Sequence, residues 1–372
     1  MSAPELIELL GARWPGAAPV VGLAWDAAGE TVAYALGDGS LQLVDTRWRR
    51  GPRLERHPRG AGLAVIQAEA EAPAPRRAQP HPVTCLCIAA QSAGGFLSGG
   101  DDGRVVQTGA GGDTEVLALV GEHWITAVAC GRDGRRAWAS RRRIERIVDG
   151  RAAALELPAA ATALAFSPDG ACLAAAHSGG VTLWPDEGEA RPLVWRGYHR
   201  ALAWSPDGRY LVSAMQENAL HGWRIADGGD IEMGGYPGQP LSLAFAGDGS
   251  YLATSGGQRA VCWRFDPPDE RPPFECGPAA KTPVTAVACH PRQSLIAVGA
   301  HNGALMLAQP GSEQALFVKG AGGGALNAIA WSAHGERLAY GTQDGEIGWL
   351  SLPDVLFNRR ASAPQPSSET TT

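Results

Sequence analysis

The strongest constraint on this chain is an internal repeat, because a unit recurring at fixed spacing cannot bury its apolar face alone and must stack against its copies. One pattern appears eight times: an apolar run tending to end in an aromatic, a turn, a second apolar run, a small-residue turn and a third run. The copies occupy residues 20–45, 83–107, 125–149, 161–184, 200–223, 241–263, 284–307 and 326–349. Their first turns are Asp133-Gly134, Asp169-Gly170, Asp207-Gly208 and Asp248-Gly249 in the middle of the chain. Elsewhere they are Ala28-Gly29, Ala93-Gly94, Arg292-Gln293 and His334-Gly335. Successive turns are 65, 40, 36, 38, 41, 44 and 42 residues apart. Asp-Gly suits a tight turn between period-two runs because both residues tolerate positive φ. The 49 glycines and 27 prolines among 372 residues point the same way, since long helices do not accept that punctuation.

A period near 40 residues with three to four strands per unit is the spacing of a propeller blade. The expectation is therefore an all-β propeller of eight blades, each with four antiparallel strands; a seven-blade ring with one degenerate copy set aside is the alternative. Outer strands are expected at 62–67, 115–120, 153–158, 192–195, 231–233, 273–276 and 315–318. The eighth copy lacks one, and Glu5–Leu10 is spare. That segment is expected to add to the last blade and close the ring, which removes an open sheet edge. Residues 1–352 then form one domain, with a Pro/Ala-rich linker at 68–82 and a disordered polar tail at 353–372.

At Ser167-Pro168-Asp169-Gly170 and Ser205-Pro206-Asp207-Gly208 the chain resembles the WD40 family, and the resemblance extends over essentially residues 5–352. The strand-ending aromatics Trp25, Phe166, Trp204, Phe245 and Trp331 contribute to it, as do Trp184 and Trp223 at the third-strand tryptophan position. The family's structural tetrad joins a His before the first strand, a Ser/Thr in the second, an Asp in the second turn and a Trp in the third. His81, Ser98 and Asp102 match it in the second copy, where Thr108 replaces the Trp. Asp45 and Asp149 of the terminal Trp-Asp pair follow Val44 and Val148, and Pro185 and Arg224 follow the tryptophans of the fourth and fifth copies. No copy carries the full set, so the resemblance implies a divergent member.

The chain carries a net charge of −6, with 45% apolar and 19% charged residues, which excludes a disordered chain. No run of 18 apolar residues is present, so no membrane span is expected. The N-terminal residues include Glu5 and Glu8 and lack a basic lead, so no secretory signal is expected. Seven scattered cysteines do not form a disulfide framework and fit a reducing cytoplasm. Lysine occurs only at Lys281 and Lys319, leaving 30 arginines; with the abundant alanine this reads as a GC-rich bacterial coding bias.

Motifs for nucleophilic, phosphate or zinc chemistry are absent: there is no G-x-S-x-G, Walker A loop or H-E-x-x-H. Cys85 and Cys87 would share one face of a strand and could converge on a metal, or pack as small core residues. The nine histidines occupy unequal repeat positions, and His81, His123 and His199 precede first strands, where a structural hydrogen-bonding role is favoured. No catalytic residue, metal or cofactor is assigned. Arginines cluster at Arg47, Arg49, Arg50, Arg53, Arg56 and Arg59 around Trp48, and at Arg135, Arg136, Arg141, Arg142, Arg143 and Arg146. Such groups could pair phosphates and stack bases, but the acidic chain favours a solvated face or an acidic protein partner.

The resemblance places the loops before the first strand and between the second and third on one face. Trp14, His123, Trp124, Arg141, Arg142, Tyr198, Glu217, Tyr236, Gln258, Arg259 and His301 would lie there as partner-binding residues. Aromatics and arginine anchor interfaces, although an aromatic at these positions can instead cap blade packing. The function expected is a non-enzymatic, cytoplasmic scaffold, a monomeric propeller that binds a protein partner through its loop face. The alternatives are a propeller enzyme, such as a metal-dependent lactonase or a quinone-dependent dehydrogenase, and a nucleic-acid-associated factor using the arginine clusters.

Overall fold

The computed structural model describes residues 4–56, 63–265, 272–279 and 282–353. His57, Arg59, the start of the 62–67 segment and the tail from residue 354 onward lie outside the described residues. The chain is an all-β propeller whose described residues form seven blade sheets, six of four antiparallel strands and one of six. In every sheet but the last, the strands follow one another in chain order. The second-copy sheet, for example, is Cys85–Ala90, Phe96–Gly100, Arg104–Thr108 and Thr114–Leu119. Second strands such as Thr31–Leu36 and Tyr210–Met215 are buried along their whole length. Both faces of a blade pack against neighbouring blades, so these strands read as continuous apolar and small residues instead of alternating.

Eight separate sheets were expected, and the fourth and fifth copies differ by lying in one. Their sheet runs Ala161–Phe166, Cys172–Pro185, Arg191–Trp204, Tyr210–Met215, Leu220–Arg224 and Asp230–Met233. Two of these elements are 14 residues long, because strand pairing continues through Ser178-Gly179-Gly180 and Arg196-Gly197-Tyr198, where Gly179, Gly180 and Gly197 take φ of +94°, +142° and +139° and the register shifts.

The 65-residue first step also resolves differently from the sequence expectation. Leu63–Ile66, inside the segment taken for an outer strand, pairs with Arg53–Arg56 as a separate hairpin. The outer strand of the first sheet is Arg76–Ala78, within the expected linker, where Arg77 pairs with Asp38 at 3.0 Å. Leu54 and Val65 of the hairpin pack beside the last sheet, and Trp48 meets Trp349 edge-on at 6.5 Å. Residues 68–82 are therefore in part structural.

Glu5–Leu10 is not a strand. Leu6–Leu10 is a short helix with a Glu5/Glu8 capping box, and it buries Ile7 and Leu10 to 1% and 2% exposure. Apolar residues at i and i+3 put these two on one face, which is helical and not strand periodicity. The strand follows it: Gly11–Trp14 pairs antiparallel with Ile347–Ser351, in the register Gly11↔Leu350 to Trp14↔Ile347. Gly11 is required by proximity, because a Cβ there would sit 2.2 Å from the Trp349 carbonyl oxygen.

Neighbouring sheets are joined near the axis by a recurring hydrogen bond. A side chain early in one first strand donates to the carbonyl at the start of the next: Thr126 to Ala161 at 3.1 Å and Thr285 to Leu326 at 2.7 Å, while Ser242 reaches the mid-strand Val287 carbonyl at 3.2 Å. Asn327 to Val20 at 3.0 Å continues the series from the last copy to the first. The strand-ending tryptophans donate in the opposite direction: Trp204 to Ala165, Trp331 to Ala288 and Trp25 to Ala330, at 3.0–3.2 Å. The aromatic that ends the first apolar run thus ties each of these copies to the one before it, between sheets for Trp331 and Trp25 and within the six-stranded sheet for Trp204.

At the junction of last and first copies, a Cβ on Gly341 would lie 2.4 Å from Val20 Cγ1 and 2.8 Å from its Cβ. Gly341→Ala is expected to destabilise the fold by about 1–3 kcal/mol through overpacking. Urea unfolding checks this, and an unchanged midpoint contradicts the tight seating of Val20.

Candidate functional site

In a four-stranded antiparallel sheet the loop entering the first strand and the loop joining the second to the third lie at the same end. Main-chain hydrogen bonds fasten these loops together. Gly37 N–H donates to Pro19, Asp101 to Thr84, Gln216 to Tyr198, Ser255 to Ser242, His301 to Pro283 and Gln343 to Ala325, at 2.8–3.1 Å. The result is a rim of paired loops with fixed backbones and variable side chains.

The rim is most exposed in its aromatic and basic groups around the third copy. Trp124 is 62% exposed and follows His123, whose Nε2 lies 3.4 Å from Arg141 Nη1. Arg141 adopts φ +52°, and its carbonyl accepts the Ala161 N–H at 2.7 Å. Arg142 donates through Nε to the Leu157 carbonyl at 2.8 Å and lies 3.7 Å from Glu156. In the fifth copy, Tyr198 is 41% exposed, and its N–H donates to the Glu217 carboxylate at 3.0 Å. Gln258 and His301 are exposed, while Arg259 is half-buried between Glu275 and Glu313, at 3.4 and 3.1 Å.

Two of the sequence-derived candidates face inward. Trp14 packs partly buried against the cluster of Val20, Tyr34 and Trp349. Tyr236 is 8% exposed; its hydroxyl lies 2.6 Å from Thr254 Oγ1 and accepts the Trp263 Nε1–H at 2.6 Å. Tyr236 therefore occupies the histidine's role in a polar chain through the second and third strands. Thr254 and Trp263 stood at the repeat's Ser/Thr and Trp positions, the signal that would have identified this.

Of the histidines that precede first strands, His81 and His199 are buried and His123 is exposed; His221, on the third strand Leu220–Arg224, is also buried. His81 Nε2 lies 2.9 Å from Ser98 Oγ, and its Nδ1 lies 3.1 Å from Asp102 Oδ1. His199 Nδ1 lies 2.6 Å from Ser213 Oγ, and its Nε2 lies 3.0 Å from the Trp195 carbonyl. His221 stacks on Trp195 with ring centres 3.7 Å apart, and its Nε2 lies 3.0 Å from Asp230. Burial lowers the pKa of all three below 6.5, opposed in His81 and His221 by the neighbouring aspartate.

The arginine clusters separate into distinct jobs. Arg146 is 7% exposed, stacks over Trp184 at 3.9 Å and donates to the Trp184 and Pro185 carbonyls at 2.8 Å. Arg135 joins it on Asp186 at 2.9 Å, forming a clamp between the third and fourth copies. Arg143 pairs with Glu145, Arg47 with Asp45 and Arg53 with Glu55, at 2.7–2.8 Å. Much of the positive charge is thus matched locally.

Cys85 and Cys87 donate their S–H groups to main-chain carbonyls, those of Gly99 and Ile125 among them. Burial pushes the Cys85 thiol up to about 12 and raises Cys87 further. Among the described residues no three His, Cys, Asp or Glu side chains gather as a metal site, and no helix is long and apolar enough to cross a membrane.

No family model matches the chain, and no curated protein matches it. Among solved structures it is similar to Ika8, a computationally designed protein with a crystal structure, at 16% identity and a TM-score of 0.67. The match covers 91% of this chain and 98% of that one, and at this identity it shows the fold alone.

The buried histidines make stability pH-dependent with a defined sign. A histidine whose folded pKa is depressed binds more protons when unfolded, so its contribution is complete above pH 6.5 and is lost as pH falls through the folded pKa. The urea midpoint is expected to fall between pH 7 and pH 5, and to fall less steeply in His199→Gln. Equal slopes for the variant and the parent chain contradict the assignment.

Proposed function

We propose that the chain is a divergent WD40-type propeller acting as a non-enzymatic, cytoplasmic scaffold that binds a protein partner through the rim of paired loops. The observation that carries this reading is Trp124, a large aromatic 62% exposed beside His123 and Arg141. Exposed indole next to a guanidinium is the composition of an interface anchor. Arg141 is also pre-positioned, since its carbonyl is held by Ala161, so little backbone order is lost on docking. Arg142, Tyr198, Glu217, Gln258, Arg259 and His301 extend the surface around the rim. Affinity capture from native lysate tests the reading. A stoichiometric partner should be recovered and then lost in Trp124→Ala and Arg141→Glu, both with unchanged melting temperature. Recovery that survives both substitutions rejects it.

We also infer that the six-stranded sheet comprises two blades, giving eight, and that Gly11–Trp14 closes the ring as the outer strand of the last blade. Supporting the count, Asp186 N–H donates to the Ala171 carbonyl at 2.9 Å, so the two ends of Cys172–Pro185 meet as in a hairpin. Thr162 donates to the His199 carbonyl, repeating the link seen between separate sheets. Supporting the closure, Ile7 and Leu10 sit in one cluster with Leu350, Leu352 and Val318. An electron-density map viewed down the axis is expected to show eight spokes with residues 11–14 at the edge of the last. Seven spokes, or a different strand at that edge, overturn the inference.

A further inference from the structure

The sulfurs of Cys262 and Cys276 lie 3.3 Å apart. Among the described residues, no other two cysteine sulfurs are in hydrogen-bond contact. We propose that this pair is an oxidation site, closing to a reversible disulfide when the chain meets a peroxide.

The pair spans the last two strands of the sixth-copy sheet, Ala260–Arg264 and Phe274–Cys276. In the ladder Ala260 faces Cys276 and Cys262 faces Phe274, so the cysteines are diagonal neighbours on one face of the sheet. A disulfide needs sulfurs about 2.0 Å apart, so the contact must shorten by about 1.3 Å. The outer strand can supply that movement: it is three residues long and has a hydrogen-bonded neighbour on one side only. Cys276 is its last residue, followed by Gly277 at φ +81°.

Both thiols are enclosed, at 0% and 1% exposure, in a cluster with Ala260, Val284 and Met306. Reagent must therefore enter by local opening of the short edge strand, the kind of sub-global fluctuation that costs least at such positions. The Cys262–Cys276 contact holds the Cys276 thiol below its ordinary pKa and, together with burial, raises Cys262. Cys276, on the short edge strand whose opening admits the reagent, is the first nucleophile. Its thiolate attacks one oxygen of hydrogen peroxide; an S–O bond forms, the O–O bond breaks and hydroxide leaves, taking up the thiol proton as water. Cys262 then attacks the Cys276 sulfenic sulfur. The S–S bond forms, the S–O bond breaks, and hydroxide leaves with the Cys262 proton as a second water. Two thiols and one peroxide give one disulfide and two waters. The remaining cysteines have no such partner: Cys289 donates to the Ala244 carbonyl at 3.2 Å, and Cys85 and Cys87 donate to main-chain carbonyls.

The test is thiol counting on the folded full-length chain. The reduced chain should take up seven alkyl groups in denaturant, one per free cysteine. After mild hydrogen peroxide treatment under native conditions it should take up two fewer, with peptide mapping joining residues 262 and 276. Dithiothreitol should restore the original count. The oxidised chain should melt at a higher temperature, because the bond restricts the unfolded ensemble. Cys262→Ser and Cys276→Ala should form no intramolecular disulfide under the same treatment. Retention of all seven thiols, or a bond that maps to another pair, overturns the proposal.

Discussion

A hydrogen bond from the side chain early in one first strand to the carbonyl opening the next is the interaction on which this ring depends. Thr126, Thr285 and Asn327 make it, and Ser242 instead bonds both main-chain groups of Val287 in the middle of the next first strand. Each sheet alone presents two apolar faces to water, and burial of those faces is non-directional. The side-chain-to-carbonyl bond is directional, and where it forms it fixes one first strand against the next. The tryptophans that donate the other way, Trp25, Trp204 and Trp331, add apolar area to the same seams.

That registration explains why the rim can carry function. Its loops are paired through main-chain hydrogen bonds, so a side chain such as Trp124 or Arg141 stands on a fixed backbone. Variation there costs little stability because the rim side chains contribute little to the seams between blades. Some buried polar groups are paired, as in the Arg135–Asp186–Arg146 clamp and the Tyr236–Thr254–Trp263 chain. Those residues serve cohesion, and the exposed remainder is the surface proposed to meet a partner.

The repeat made the propeller legible from sequence because strand–turn–strand units of fixed length record both period and pairing. The six-stranded sheet was not legible, since nothing in Ser178-Gly179-Gly180 distinguishes a broken turn from extended backbone. Glu5–Leu10 was misread because so short a segment, four of its six residues apolar, suits either period; the i,i+3 placement of Ile7 and Leu10 decided it once a core was there to receive them. Arg76–Ala78 carries no apolar pattern, and its place in the first sheet rests on ladder hydrogen bonds and on Arg77–Asp38. Of the candidate site, the exposed loop residues followed from the repeat register. Trp14 and Tyr236 did not, because an aromatic at a loop position is compatible with either solvent or core until its neighbours are known.

The central claim is that the loop rim is the partner-binding surface. Hydrogen exchange measured on the chain alone and in complex with its co-purifying partner tests it most directly. Slowed exchange is expected at residues 121–124, 141–142, 196–200 and 216–217. Unchanged exchange along the rim, with protection falling instead on the opposite turns at 167–170 and 205–208, would contradict it.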